Sequence, residues 1–378
     1  MPWQEVSTMS LRQEFVTLAR KEGANKSLLA DRFGISRPTG YKWLRRFAAE
    51  GTAGLQDRSR QPRHSPQRTA PEIEATVLQV RWEHPAWGGR KIRRWLQNHG
   101  HTPTPSPSTV TEVLRRHGQI DEAQAAKHRP WQRFERAAPN ELWQMDFKGH
   151  FALVHGRCHP LTVIDDHSRF LVGLEACGNE QWTTVQGRLT PIFRRYGLPE
   201  RMIMDNGAPW GSDLEHPYTP LTVWLWRLGI GVSHGRPYHP QTQGKDERLH
   251  RTLKAELLQG RTFHDLAHCQ QTFDPWRDGY NLERPHEALG LATPSSRYQP
   301  SPRPFPETLS PIEYGPGDHL RKVQLQGALS FHGKTFQVGK AFEGFPVALR
   351  ETATDGVWAV YFLSHVIASI DERDPVAP

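Results

Sequence analysis

The chain has 378 residues, room for two to four compact units with ample core, which excludes a disordered tail or a disulfide-stapled miniprotein. Hydrophobic residues make up 36%, mean hydropathy is −0.68, and no window nears the roughly 18 uninterrupted apolar residues of a membrane-spanning helix, so no membrane is expected as a partner. The formal net charge of +8 is unevenly spread: residues 1–140 carry 24 Lys and Arg against 13 Asp and Glu, the rest 24 against 27. A basic first third on a mildly acidic remainder suits a region that grips nucleic acid joined to one that needs its carboxylates, although charge alone also fits a well-solvated surface. Cys158, Cys177 and Cys269 form no CxxC pair and read as buried small apolar residues. The opening MPWQEVSTMSLRQEF is polar, so no secretory leader is expected there and a cytoplasmic location is the expectation.

Taken in chain order, Leu11 to Lys21 repeats apolar residues at helical spacing and closes at Gly23. From Ser27 to Phe47 a short amphipathic helix meets a turn at Gly34, and Ser36 caps a second helix, a helix-turn-helix signature. Ala30 is small where two helices must approach, and Ile35, Tyr41, Leu44 and Phe47 supply an apolar face. Arg37, Thr39, Lys42, Arg45 and Arg46 are left outward, where they can meet a major groove and its phosphates. A plain helical hairpin with a solvated basic face is the other reading. This domain is placed at 1–50, followed by a basic linker over 51–70. Three helices over Glu72 to Glu83, Arg90 to His99 and Ser108 to His117, the last capped by Ser108, make a second helix-turn-helix domain at 71–118. Its DNA-facing candidates are Arg90, Lys91, Arg93 and Arg94; the tryptophans read as core or interface anchors, with stacking on DNA the alternative for Trp82, Trp87 and Trp95. Residues 119–140 read as a polar linker.

From Leu142 the pattern becomes that of strands: Leu142 to Val154, His159 to Ile164 and Phe170 to Cys177. Helix, strand and helix follow at Trp182 to Tyr196, Arg201 to Met204 and Leu221 to Leu228, then a strand at Ile230 to Ser233 and a charged helix at Gly244 to Leu258. Strands first and then strands alternating with helices predict a mixed α/β sheet over 141–300. A Pro-rich connection at 301–317 leads to short alternating stretches, read as a small β-barrel over 318–378. The predicted whole is multidomain: all-α helix-turn-helix units, an α/β mixed-sheet core and a C-terminal barrel.

Three acids stand where a site would be built. Asp146 lies inside a strand among apolar neighbours, where an ionised carboxylate needs a partner or a metal. Asp205 ends the strand RMIM, at the carboxyl edge where α/β sheets place ligands. Glu247 opens a helix that carries Arg251 and Lys254 at i+4 and i+7, on its own face and able to hold phosphates. Singly, each acid reads as structural or exposed sooner than as catalytic. Asp246, adjacent to Glu247, keeps a second candidate for the third acid open. His239 and His250 show no HExxH or Cys/His ligand spacing, so they read as a loop residue and a solvated residue.

The wording WQMDF around Asp146, IDDHSRF at 164–170, DNG at 205–207, HPQTQGKDERLHRTLKAE ending at Glu256, and YNLERPH at 280–286 with Leu289, Thr293 and Pro294 together resemble insertion-sequence DDE transposases with a retroviral-integrase-type core. The resemblance runs through the helix-turn-helix pair and covers most of the chain. It implies an RNase H-like core in which Asp146, Asp205 and Glu247 are catalytic and bind two divalent ions, Mg²⁺ or in its place Mn²⁺, with no small-molecule cofactor. Hard oxygen donors suit those ions better than zinc. It further implies binding to transposon ends and target DNA, nicking and strand transfer without a covalent protein–DNA intermediate, a dimer or tetramer on DNA, and a bacterial, nucleoid-associated location. One departure is the 42 positions from Asp205 to Glu247, with extra material around Trp210 to Leu221. A non-catalytic DNA-binding regulator derived from a transposase is the alternative function.

Overall fold

The computed structural model describes residues 7–58, 69–120, 135–205, 207, 209–211, 218–234 and 244–373. The chain folds as two units, residues 1–68 and 69–378.

In the first unit, helices α1 (Thr8–Ala19), α2 (Lys26–Arg32) and α3 (Arg37–Glu50) close around Phe15, Val16, Ala19, Ala30, Trp43 and Leu55. Asn25 caps α2 and Ser36 caps α3, each side chain accepting from backbone N–H groups of the first turn. The turn between α2 and α3 is a Schellman motif: Gly34, at φ +64°, gives its N–H to Asp31, and Ile35 gives its own back to Ala30, both at 3.0 Å. A Cβ on Gly40 would lie 2.7 Å from the Phe15 ring, so α3 crosses α1 closely there. The apolar face expected to include Tyr41 is instead anchored by Trp43. Tyr41 is 43% exposed, whereas Trp43 is 7% exposed with the Arg12 guanidinium 4.1 Å from its ring centroid.

The second unit begins with α4 (Pro71–Glu83), α5 (Gly89–Asn98) and α6 (Pro107–Arg116), packed around Val77, Trp87, Ile92, Leu96, Val110 and Val113. Ser106, not Ser108, caps α6, because Pro107 takes the first helical position, where a missing N–H costs nothing.

A mixed sheet follows. β1 (Trp143–Phe147), β2 (Phe151–Ala152), β3 (Arg157–Asp165) and β4 (Leu171–Cys177) are antiparallel, and β5 (Arg201–Met204) and β6 (Gly231–His234) continue it in parallel, in the order β2-β3-β1-β5-β6 with β4 on β3. Helices α7 (Trp182–Tyr196) and α8 (Pro220–Arg227) cover one face through Val185, Leu189, Phe193, Leu221 and Leu225 against Trp143, Met145 and Met202. Helices α9 (Gly244–Leu253) and α10 (Leu266–Leu282) cover the other, with Leu249, Leu253 and Phe273 against Ile164, Leu171 and Leu174. The period of two along β1 therefore sends Trp143 and Met145 into the first core and places Gln144 and Asp146 on the α9 side. The charged helix expected to run to Leu258 is α-helical only to Leu253, and Lys254–Leu258 forms a π-helical turn.

The Pro-rich connection is pinned to this core: Arg303 donates to the carbonyls of Pro199, Leu228 and Gly229, and Leu198 N–H donates to Arg303 O. Beyond it, β7 (His319–Lys322), β8 (Ala328–Phe331), β9 (Lys334–Gln337), β10 (Pro346–Glu351), β11 (Val357–Phe362) and β12 (His365–Asp371) are all short strands. They do not close into the expected barrel. Among the described residues they form an open antiparallel sheet, β12-β11-β10-β7, and a separate β8–β9 hairpin. Trp226 of α8 packs against this module, on Phe342, Phe362 and His365.

Candidate active site

Asp146 is the fourth residue of β1, and Asp205 directly follows β5, its parallel neighbour. Register pairs Trp143 with Met202 and Gln144 with Ile203, and carried two residues further it sets Asp146 level with Asp205. The Asp146 side chain is 28% exposed. Its carboxyl is pushed up to about 6, first by burial and then by the nearby carboxylates of Asp205 and Glu180, although the Phe147 N–H draws it down. Asp205 is exposed, and its carbonyl lies 3.0 Å from His234 Nδ1. The structure thus brings two of the three acids together.

Helix α9 carries the third. Glu247 is on its exposed face, whereas Asp246 is fully buried and neither of its carboxyl oxygens has a hydrogen-bond partner among the described residues. Burial, followed by the charges of Asp146 and Asp166, pushes Asp246 well above the ordinary carboxylate range. Among the described residues no three His, Cys, Asp or Glu side chains gather into a metal-holding group. His239 and residues 212–217 of the expected extra material lie outside the described residues. Trp210 is buried and stacks on Phe147, centroids 5.4 Å apart.

His250, read from sequence as solvated, is buried because it sits one turn after Asp246 on the sheet-facing side of α9. The Thr162 hydroxyl, paired across the ladder from Asp146, donates to the Asp146 carbonyl at 3.0 Å and lies 2.8 Å from His250 Nε2. A hydroxyl has one proton, so Nε2–H must donate to it, leaving Nδ1 bare 3.9 Å from Asp146 Oδ2. Burial, with Lys148 nearby, drops His250 to about 4, so the ring is neutral.

The basic residues divide. On α3, Arg37, Lys42 and Arg45 are exposed and Thr39 and Arg46 partly so; Thr39 also joins the cap, its N–H reaching Ser36 Oγ at 3.4 Å. On α5, Arg90 and Arg94 are exposed and Arg93 is half-buried. Lys91 is turned inward: burial, with Arg284 and Arg248 close by, lowers it to about 7 against the pull of Glu256 and Glu287. Arg251 and Lys254 are exposed. Of the three tryptophans near these cations, Trp87 is a core anchor, 1% exposed and stacked on His84, Trp95 is stacked on His99, and Trp82 alone is open, at 81%. Thr162, His250 and Gln144 were not legible as site residues, although the period of two already placed Gln144 beside Asp146.

An integrase core domain model matches residues 136–240 and a second 228–294; a helix-turn-helix domain matches 11–63, a homeodomain-like domain 39–114, and the C-terminal domain of IS481 family transposases 318–376. The chain is 30% identical over 159 residues to a 31.7 kDa protein of insertion element IS407 from Burkholderia multivorans, covering 42% of this chain and 55% of that protein. It thus spans about half the length of that relative. It is 24% identical over 243 residues to a 39.2 kDa protein of insertion element IS476 from Xanthomonas euvesicatoria, covering 62% and 67%. Among solved structures, the BIV integrase catalytic core is similar at 24% identity over 42% of this chain and 92% of that one, with a TM-score of 0.32. The HTLV-2 integrase core in complex with magnesium is similar at 15% identity over 43% and 99%, with a TM-score of 0.33. Helix-turn-helix regions, an integrase core and an IS481-type C-terminal domain are thus matched in that order along one polypeptide.

Proposed function

We propose that the chain is a DDE transposase that binds the terminal inverted repeats of an insertion sequence, cuts at those ends and joins them to target DNA. The observation that carries this reading is the parallel pairing of β1 with β5, which sets Asp146 and Asp205 at neighbouring strand positions on the sheet that α9, the helix of Glu247, covers. The helical modules at 1–50 and 71–118 read the ends, the core at 141–300 does the chemistry, and the module at 318–378 positions DNA.

Asp146, Asp205 and Glu247 would hold two Mg²⁺ ions, or Mn²⁺ in their place. The donors suit a hard cation: they are carboxylate oxygens, partly or fully open to water, while all three cysteines are buried. The Asp146 carboxyl is raised first by burial and then by the neighbouring carboxylates of Asp205 and Glu180, and a bound cation would offset both. When bound, such ions supply Lewis-acid stabilisation of an in-line displacement at phosphorus. Thr162 fixes the Asp146 backbone and, through the same hydroxyl, the buried His250 ring of α9. Arg251 on α9 and Lys254, at the start of the π-helical turn that follows it, hold phosphate through their exposed side chains. Joining two ends to one target takes two active sites, so the working form is a dimer or tetramer on DNA.

The test is strand transfer of labelled end DNA with Mg²⁺ or Mn²⁺. Wild type joins ends to target, and Asp146→Asn and Asp205→Asn lose joining while keeping end binding. A wild type that binds ends but neither nicks nor joins them would make the chain a DNA-binding regulator, and light scattering showing monomers alone on paired ends would contradict the assembly.

A further inference from the structure

The acids on β1 and α9 come from elements whose only covalent link is about a hundred residues of chain, so their spacing depends on whatever ties the helix to the strand. One buried carboxylate makes that tie. Asp166, in the turn after β3, is 2% exposed, and its Oδ1 accepts from Gln144 Nε2 at 2.7 Å and from Lys245 Nζ. Oδ2 accepts from Arg136 N–H at 2.9 Å, and the Asp166 N–H donates to Leu142 O at 2.9 Å just ahead of β1. Gln144 precedes Asp146 by two residues on the same face of β1, and Lys245 precedes Glu247 by two residues on α9. Asp165 next to it is locked by Ser168 N–H and Oγ and by Asn140 N–H, all within 2.7 Å, so the turn that presents Asp166 cannot drift.

We infer that the Gln144–Asp166–Lys245 bridge is a positioning device that sets the third acid, on α9, against Asp146 on β1, and that Lys245 and Asp166 are positioning residues for metal binding. This rests on the transposase reading above. The bridge is suited to the role because each end is a charged or amide group anchored in the interior: the Lys245 and Asp166 side chains are 16% and 3% exposed. A buried charge pair is indifferent as a source of stability but strict about geometry, since sliding α9 by one residue would strand both charges. The second tie from α9, His250 to Thr162, crosses the sheet further along the same helix, so the helix segment holding Glu247 is fixed on both sides.

The test uses the full chain and reads Mn²⁺ binding directly, by the electron paramagnetic resonance of unbound Mn²⁺, beside strand transfer, end binding and melting. Lys245→Met and Asp166→Asn weaken Mn²⁺ binding and raise the half-saturating Mn²⁺ for joining by about tenfold, the size expected when a group supporting a metal ligand is lost. End-DNA affinity stays within about twofold of wild type, because the end-reading residues lie elsewhere. Lys245→Gln, which keeps a donor without the charge, carries the same test if Lys245→Met does not fold, with the same threshold. Mn²⁺ binding within about twofold of wild type in a folded variant overturns the proposal, whatever happens to melting. Asp146→Asn is measured alongside: if it still binds Mn²⁺ and joins DNA, the transposase chemistry itself is misread, a failure distinct from that of the bridge.

Discussion

Glu256 and Arg284, 28 positions apart, form an ion pair whose side chains are 4% and 5% exposed. The π-helical turn after α9 carries Glu256, Trp276 Nε1 donates to its second oxygen at 3.2 Å, and the guanidinium lies over the rings of Tyr280 and Trp87, 5.8 and 5.9 Å from their centroids. Trp87 belongs to the helical module that precedes the core, so this pair ties that module to α10. Removing one partner leaves the other buried and unpaired, which costs about 3–5 kcal/mol. Arg284→Met and Glu256→Gln should each lower the melting temperature by several degrees. The double Glu256→Leu/Arg284→Met should lose less than the worse single variant, and equal or additive losses would contradict the buried-pair picture.

Glu175 on β4 gives a pH signature away from the acids of the site. Burial pushes its carboxyl up to about 7 from an ordinary 4.5, opposed by Arg188 and Arg277. The folded value lies above the unfolded one, so its contribution is fully present below about 4.5 and is lost as pH rises through about 7. Glu175→Gln should therefore flatten the pH dependence of unfolding free energy between pH 5 and 8, gaining relative to wild type toward pH 8. Denaturant titrations that give parallel curves for the two proteins would contradict this.

DNA affinity should separate Arg45 from Lys91. Arg45 is exposed on α3, and Lys91 is turned toward Arg284 and Glu256. Arg45→Ala should weaken end binding and reduce the slope of log affinity against log salt by about 1, the signature of one lost phosphate contact. Lys91→Ala should leave that slope unchanged. A slope that falls in Lys91→Ala and not in Arg45→Ala would reverse the assignment.

The elements were largely legible because their signals are local: Ser36 as a cap, Gly34 as a turn, and the two-residue period that splits Trp143 and Met145 from Gln144 and Asp146. What each face meets is a long-range matter. Tyr41 and Trp43 are two positions apart on one helix, and only the placement of Phe15 and Arg12 decides which is covered. Lys91 is as basic as Arg90, and it is the nearby Arg284 and Glu256 that turn it from a surface cation into an inward one. The C-terminal strands were visible as alternating stretches, but closure into a barrel depends on pairing that alternation does not encode. Both stretches that form the Glu256–Arg284 pair stood out in the sequence, without any sign that they meet.

The identity of the third acid bears hardest on the active-site assignment, since α9 buries Asp246 near Asp146 and exposes Glu247. Strand transfer with Mn²⁺ by Glu247→Gln and Asp246→Asn, each checked for end binding, decides it. Glu247→Gln should abolish joining, and Asp246→Asn, which changes a carboxyl buried away from the exposed face of α9, should retain it. Joining kept in Glu247→Gln and lost in Asp246→Asn would contradict the assignment of the triad to Asp146, Asp205 and Glu247.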